Sequence, residues 1–238
     1  MPPAPTLSFA GQSFILLADR ALFWPRHAAL IVADLHLEKG SWYAGHGQPL
    51  PPYDSHDTLD RLARLAMETD ARAIWCLGDS FHDRAAADRI APTVAARLAA
   101  QAAATRLVWI AGNHDGLSGG SWGGEVAEEM IIDGIVLRHQ CRADETRPEI
   151  SGHFHPKLRL TVRGRGVSRP CFAGDGQRLI LPAFGSYTGG LDVEHGAIAE
   201  NFTGSYQAML AAGGRLLRFP FAGRPDDDAT ACRVRVKI

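Results

Sequence analysis

Five short blocks carry residues able to bind cations and move protons: Asp34-Leu35-His36, Gly78-Asp79, Gly112-Asn113-His114-Asp115, the single His139, and Gly152-His153-Phe154-His155. Their donors are oxygen and imidazole nitrogen, with no thiolate. That mixture suits Mn²⁺, iron or Zn²⁺ better than a structural zinc, which more often recruits cysteine. It also differs from Ca²⁺ or Mg²⁺ sites, which favour oxygen alone. Asp34, His36, Asp79, Asn113, His139, His153 and His155 are too many ligands for one ion. They fit two ions sharing a carboxylate, an arrangement that holds the attacking and leaving oxygens of a phosphoryl group. Asp-x-His alone is uninformative, and a second copy occurs at Asp54-Ser55-His56. Gly-Asn-His-Asp is different, being expected roughly 0.0006 times by chance at this composition.

The elements that must position these blocks follow from the apolar runs. Ala28–Ala33, Ala73–Leu77 and Leu107–Ala111 are continuous and apolar, as in strands covered on both faces, and each runs directly into a polar block. Between the first two, Asp54 or Ser55 can cap a helix whose Leu59, Leu62, Leu65 and Ala66 share one side. Between the second and third, residues 85–104 read as one alanine-rich helix. Strand, helix, strand, helix, strand is the α/β pattern, in which ligands gather outside the carboxyl ends of the strands. Residues 13–17 and 21–24 suggest small antiparallel strands before it. Short alternating runs at 131–137, 157–162, 178–181 and 231–238 suggest further strands after it. Residues 119–124 are too rich in glycine to be regular, and no linker divides the chain, so residues 1–238 are expected to form a single domain.

Composition narrows the class. The hydrophobic fraction of 46% with 21% charged residues describes a globular chain. The apolar runs fall far short of the roughly 20 residues needed to cross a bilayer, so no membrane partner is expected. A net charge of −1 gives no global basic field, so a nucleic acid would have to be held by a local patch. Cys76, Cys141, Cys171 and Cys232 are too scattered for a disulfide framework and read as reduced thiols. Met1–Pro5 has neither the basic nor the apolar region of a signal peptide, so a cytoplasmic location is expected.

The five blocks, in this order, resemble the calcineurin-like metallophosphoesterase superfamily. Residues 34–40 (Asp-Leu-His-Leu-Glu-Lys-Gly), 47–54 and 182–190 (Pro-Ala-Phe-Gly-Ser-Tyr-Thr-Gly-Gly) are similar to the bacterial ligase-associated DNA damage response endonuclease family, PdeM. The resemblance implies a four-layer αββα sandwich with two mixed sheets and a binuclear centre. One ion would be held by Asp34, His36, Asp79 and His155, the other by Asp79, Asn113, His139 and His153. Manganese is the implied metal, with iron, zinc or nickel as substitutes. A hydroxide bridging the two ions would attack a phosphodiester, and His114 would serve the leaving alkoxide. Asp115 or Asp83 would orient His114, and His82 would contact substrate phosphate.

DNA is then the expected substrate and repair the setting, with a ligase-associated helicase and exonuclease as partners. Five cations and no acid lie between residues 157 and 169, and of these Lys157 and Arg159 are candidate substrate contacts. A small nucleotide or cyclic nucleotide is the alternative substrate. A non-catalytic, metal-stabilised scaffold is a third reading, disfavoured because the chain keeps His114.

Overall fold

The computed structural model describes residues 4–115 and 118–223. In chain order the strands are β1 (Thr6–Phe9), β2 (Gln12–Leu17), β3 (Ala21–Trp24), β4 (Ala29–Val32), β5 (Ala73–Leu77), β6 (Arg106–Ile110), β7 (Glu125–Ala127), β8 (Glu129–Ile132), β9 (Ile135–Arg138), β10 (Glu149–Ser151), β11 (Lys157–Val162), β12 (Arg165–Pro170), β13 (Phe172–Gly174), β14 (Arg178–Ile180), β15 (Ser205–Ala212) and β16 (Arg215–Ala222). The helices are α1 (Lys39–Gly45), α2 (Asp54–Thr69), α3 (Ala86–Arg89), α4 (Pro92–Ala104) and α5 (Gly196–Ala199). Among the described residues, β1 to β7 form one seven-stranded sheet in sequence order. A second runs β16-β15-β13-β14-β10-β9-β8, and β11 and β12 form a separate ribbon. Both large sheets are mixed: β4, β5, β6 and β7 are parallel, as are β9, β10 and β14.

The inner faces of the two sheets bury Phe14, Trp24, Ile31, Trp75, Leu77 and Ile110 against Leu137, Ile150, Leu179 and Leu181. On the outer face of the first sheet, Leu30, Val32, Ile74 and Cys76 meet Leu59, Leu62 and Leu65 of α2 and Val94 and Leu98 of α4. Both faces of β4 and β5 are therefore covered, which is why their sequences are uninterrupted apolar runs. The αββα order holds, but the fourth layer is thin. Beyond the second sheet stand the four-residue α5, the base of the ribbon and loop residues such as Val193 and Phe202. No described helix is long and apolar enough to cross a membrane.

Three local expectations are corrected. The helix expected over 85–104 is two helices, because Pro92 opens α4 and holds Ala91 extended (φ −65°, ψ 141°). The run 131–137 is a hairpin: Asp133 (φ 49°) and Gly134 (φ 79°) turn the chain so that Ile132 faces Ile135. Asp54 and Ser55 do not cap their own helix; they accept from the Gly40 and Glu38 amides and so fasten the start of α1. The run 231–238 lies outside the described residues. Cys76, Cys141 and Cys171 are buried free thiols, and Cys232 lies outside the described residues.

A buried charge network fixes the strands beneath the second half of the site. Glu149 on β10 is 0% exposed and meets Arg138 of β9 at 3.2 Å and Arg178 of β14 at 3.2 Å. Arg138 also pairs with Glu145 at 2.8 Å and Glu129 at 3.0 Å. Glu149→Ala leaves two buried guanidinium groups without that carboxylate. It should lower unfolding free energy by about 3–5 kcal/mol in chemical denaturation; a change below 1 kcal/mol would show the network to be dispensable.

Candidate metal centre

Three of the strands that point at the site, β4, β5 and β10, lead into residues with left-handed backbone. Asp34 follows β4 at φ 54°, Asp79 follows β5 at φ 44°, and His36 stands at φ 44°. His153 and His155, beyond β10, lie at 72° and 48°. Left-handed conformations are uncommon outside glycine, although Asp and His tolerate them better than most residues. Their concentration here turns five side chains from three chain segments toward one point. The motif glycines have a related cause. A Cβ on Gly112 would fall on the Asp79 amide, and one on Gly152 would meet the Asp34 carboxylate. Neighbouring loops approach too closely there for any side chain.

The seven expected ligands come together in two groups. Asp34, His36 and His155 offer donor atoms within 4.8 Å of one another, and so do Asp79, His139 and His153. In the first group the Nε2 atoms of His36 and His155 are 3.3 Å apart, with Asp34 Oδ1 3.4 Å from His155. In the second, His139 Nε2 faces Asn113 Oδ1 at 2.9 Å, His153 Nδ1 at 3.0 Å and Asp79 Oδ2 at 3.4 Å. Asp34 reaches toward the second group as well, 3.7 Å from His139. Asp79 acts electrostatically on His36 in the first. The arrangement fits two divalent cations: lone pairs of nitrogen and oxygen converge, and no thiolate takes part. His139 Nδ1 donates to the Leu77 carbonyl at 3.1 Å, which leaves Nε2 as its ligand atom.

The electrostatics express the same crowding. Burial and the neighbouring His155 push His36 down to about 2. Burial would also lower His139, but its hydrogen bond to Asp79 and the Asp34 charge raise it to about 9. Burial alone would raise Asp79, yet His139 and the His114 amide bring it down to about 2.

His114 stands at the mouth, its side chain 44% exposed and Nε2 3.8 Å from Asp79 Oδ2. Its amide donates to Asp79 Oδ1 at 2.9 Å. The expected carboxylate partners are engaged with other groups. Asp115 is buried and accepts from the Ser80, Phe81 and Gly112 amides, while burial pushes its carboxyl up to about 6. Asp83 pairs with Arg89 at 2.6 Å. The acceptor for His114 is instead a main-chain group: Nδ1 donates to the His82 carbonyl at 3.0 Å. Residue types give no signal for such a contact. The His82 ring lies 5.7 Å from that of His36 and 6.0 Å from that of His114, and burial lowers it to about 4.

The basic run divides. Strand pairing puts Lys157 and Arg159 on one face of the ribbon and Arg165 and Arg169 on the other. Lys157 Nζ is 3.4 Å from the Thr188 carbonyl, whereas Arg159 is 64% exposed and 3.5 Å from Asp192. Residues 182–190, singled out only by likeness, have a physical task. The Phe184 and Gly185 amides donate to the carbonyls of Ala33 and Asp34, and the guanidinium of Arg20 binds the carbonyls of Ala183 and Gly185. This strap holds the turn that presents Asp34.

One consequence is measurable without turnover. At pH 7.5 the metal-free protein carries a proton on His139, and a cation bound through Nε2 must displace it. The raised value also means that this proton stabilises the metal-free fold below about pH 6.5 and ceases to do so as pH rises through about 9. Calorimetric titration with Mn²⁺ in buffers of different ionisation enthalpy should show about one proton released, with affinity rising as pH approaches about 9. Heats independent of the buffer would refute it.

Comparison with known proteins bears on this geometry. A family model for calcineurin-like phosphoesterases matches residues 28–174. The crystal structure of the Pseudomonas putida nuclease MPE is similar at a TM-score of 0.69 and 29% identity, over 91% of this chain and 100% of that one. YfcE, a phosphoesterase from E. coli, is matched at a TM-score of 0.38 and 15% identity, over 76% of this chain and 86% of that one. Comparison with curated proteins gave no match. Because the family match spans more than half of the chain and includes every residue of both donor groups, this protein belongs to the calcineurin-like phosphoesterase family of metal-dependent phosphoester hydrolases.

Proposed function

We propose that the chain is a DNA endonuclease that hydrolyses phosphodiester bonds with two manganese ions. The observation that carries this is the pairing of two adjacent donor groups with an exposed histidine at their mouth. Asp34, His36 and His155 would hold one ion. Asp79, Asn113, His139 and His153 would hold the other, with Asp79 shared. When bound, such a pair makes water nucleophilic near neutral pH and withdraws charge from the phosphoryl oxygens.

The chain's own residues supply the rest. Because His114 Nδ1 donates to the His82 carbonyl, Nε2 is the atom left to meet the leaving oxygen and to deliver a proton to it. Asp115 acts indirectly, bracing the Gly112 turn against residues 80 and 81 so that the His114 amide stays on Asp79. His82, beside both His36 and His114, and Lys157, at the foot of the ribbon, would contact phosphate. Arg159, further along the same face, would follow the backbone outward. Support for a nucleic-acid substrate comes from the relative in Pseudomonas putida, which is a nuclease. Action in repair, beside a ligase-associated helicase and exonuclease, rests on the likeness of residues 34–40, 47–54 and 182–190.

The protein loaded with Mn²⁺ is expected to hydrolyse bis-p-nitrophenyl phosphate and to linearise circular single-stranded DNA. His114→Ala should lower kcat by roughly 10²- to 10⁴-fold while bound metal, measured by elemental analysis, stays at two ions. Intact circles alongside rapid turnover of mononucleotides or cyclic nucleotides would transfer the assignment to a small substrate. Full activity in His114→Ala would remove that residue from the mechanism.

A further inference from the structure

Beside the donor groups stands a set of rings for which the hydrolysis described above has no use. Trp42 on α1 lies 5.1 Å from the ring of His82, and Tyr43 lies 6.3 Å from it with the planes 22° apart. His82 in turn is within 5.7 Å of His36 and 6.0 Å of His114. Trp42 and Tyr43 are thus one ring removed from the reacting centre.

Core packing does not account for them. Gly40 is the only buried residue of α1, and Trp42 and Tyr43 are both partly exposed. The large ring that covers Trp42 face to face is His46, at 4.0 Å, from the C-terminal cap of the same helix. The indole N–H donates to no group among the described residues. Yet the helix is held firmly. Asp54 Oδ2 takes the Gly40 amide at 2.9 Å, and Ser55 binds both the Glu38 amide and the Glu38 carboxylate at 2.9 Å. Ser41 donates to the other Glu38 oxygen at 2.8 Å. A short helix pinned by buried polar groups therefore presents two aromatic side chains at the mouth of the site.

A cation accompanies them. Lys39, the first residue of α1, is half-buried, and its ammonium makes no hydrogen bond or ion pair among the described residues. It lies close enough to His36, His82 and Lys157 to act on each electrostatically. Asp54, which accepts the Gly40 amide, acts on Lys39 in the opposite sense to burial. Aromatic rings beside cations are how proteins hold unpaired nucleotides: rings stack on bases while ammonium groups follow the phosphates.

We propose that Trp42 and Tyr43 form a nucleobase subsite, in which the base adjoining the scissile phosphate stacks on Trp42 and meets the near-perpendicular Tyr43 ring edge-on, while Lys39 meets the flanking phosphate. This deepens the phosphodiesterase reading and rests on it. An unpaired base can lie flat on the Trp42 ring, whereas a base within a duplex is covered on both faces by its neighbours. The subsite therefore selects substrates with an unstacked nucleotide at the cleavage point.

Two esters with the same leaving group test it: thymidine 5′-(p-nitrophenyl phosphate) and the corresponding ester of 1,2-dideoxyribose, which lacks the base. With Mn²⁺, the wild-type protein should favour the thymidine ester in kcat/KM by roughly tenfold or more. That ratio should fall toward one in Trp42→Ala, fall partly in Tyr43→Ala, and be largely restored in Trp42→Phe, which keeps a stacking face. Should Trp42→Ala fail to fold, the wild-type ratio and Tyr43→Ala decide. Equal use of both esters by the wild type, or an undiminished ratio in the alanine variants, overturns the subsite and leaves the hydrolase reading standing. Failure to hydrolyse either ester overturns both.

Discussion

Lone pairs forced to face one another inside a protein are the constraint on which this structure depends. Two imidazole nitrogens stand 3.3 Å apart in one group and two 3.0 Å apart in the other, with the Asp34 and Asp79 carboxylates beside them, a concentration of donor atoms that favours something positive. Burial and the neighbouring His155 drive His36 down, while Asp79 and Asp34 draw His139 up. Divalent cations would satisfy every donor at once. The fold meets the cost of assembling such a cluster with backbone geometry. Five ligands sit in left-handed conformations, and motif glycines stand where any side chain would collide with a ligand from the next loop.

Much of this was legible before any coordinates. The run Ala73–Leu77 is the strand β5 residue for residue, because a strand covered on both faces has no polar interruption to blur its limits. The ligand blocks could be ordered because each follows such a run. Local punctuation was present but under-read: Pro92 and Asp133-Gly134 are strong breakers that divide elements taken as continuous. Helix α1 was not foreseen. Its seven residues include two glycines and two aromatics, and its start is held by Asp54 and Ser55, more than a dozen residues away. That is tertiary support, and local propensity cannot register it.

The site was legible to the extent that it is made of side chains. The orientation of His114 is not, since its acceptor is the carbonyl of His82, a group every residue possesses. The same holds for the strap at 182–190, which acts on the Asp34 turn through backbone amides and carbonyls. Asp115 illustrates the reverse error. Its place beside His114 suggested that it orients that imidazole, but its oxygens bind the Ser80, Phe81 and Gly112 amides.

The division of donors between the two sheets has a mechanical side. Asp34 and His36 follow β4, and Asp79 and Asn113 follow β5 and β6, all in the first sheet. His139, His153 and His155 follow β9 and β10 in the second. Each donor group draws from both layers, so an ion seated in either would act as a rivet against shear. Sliding one layer over the other by even an ångström would pull both coordination sets apart together, making the catalytic centre also the fastener of the sandwich.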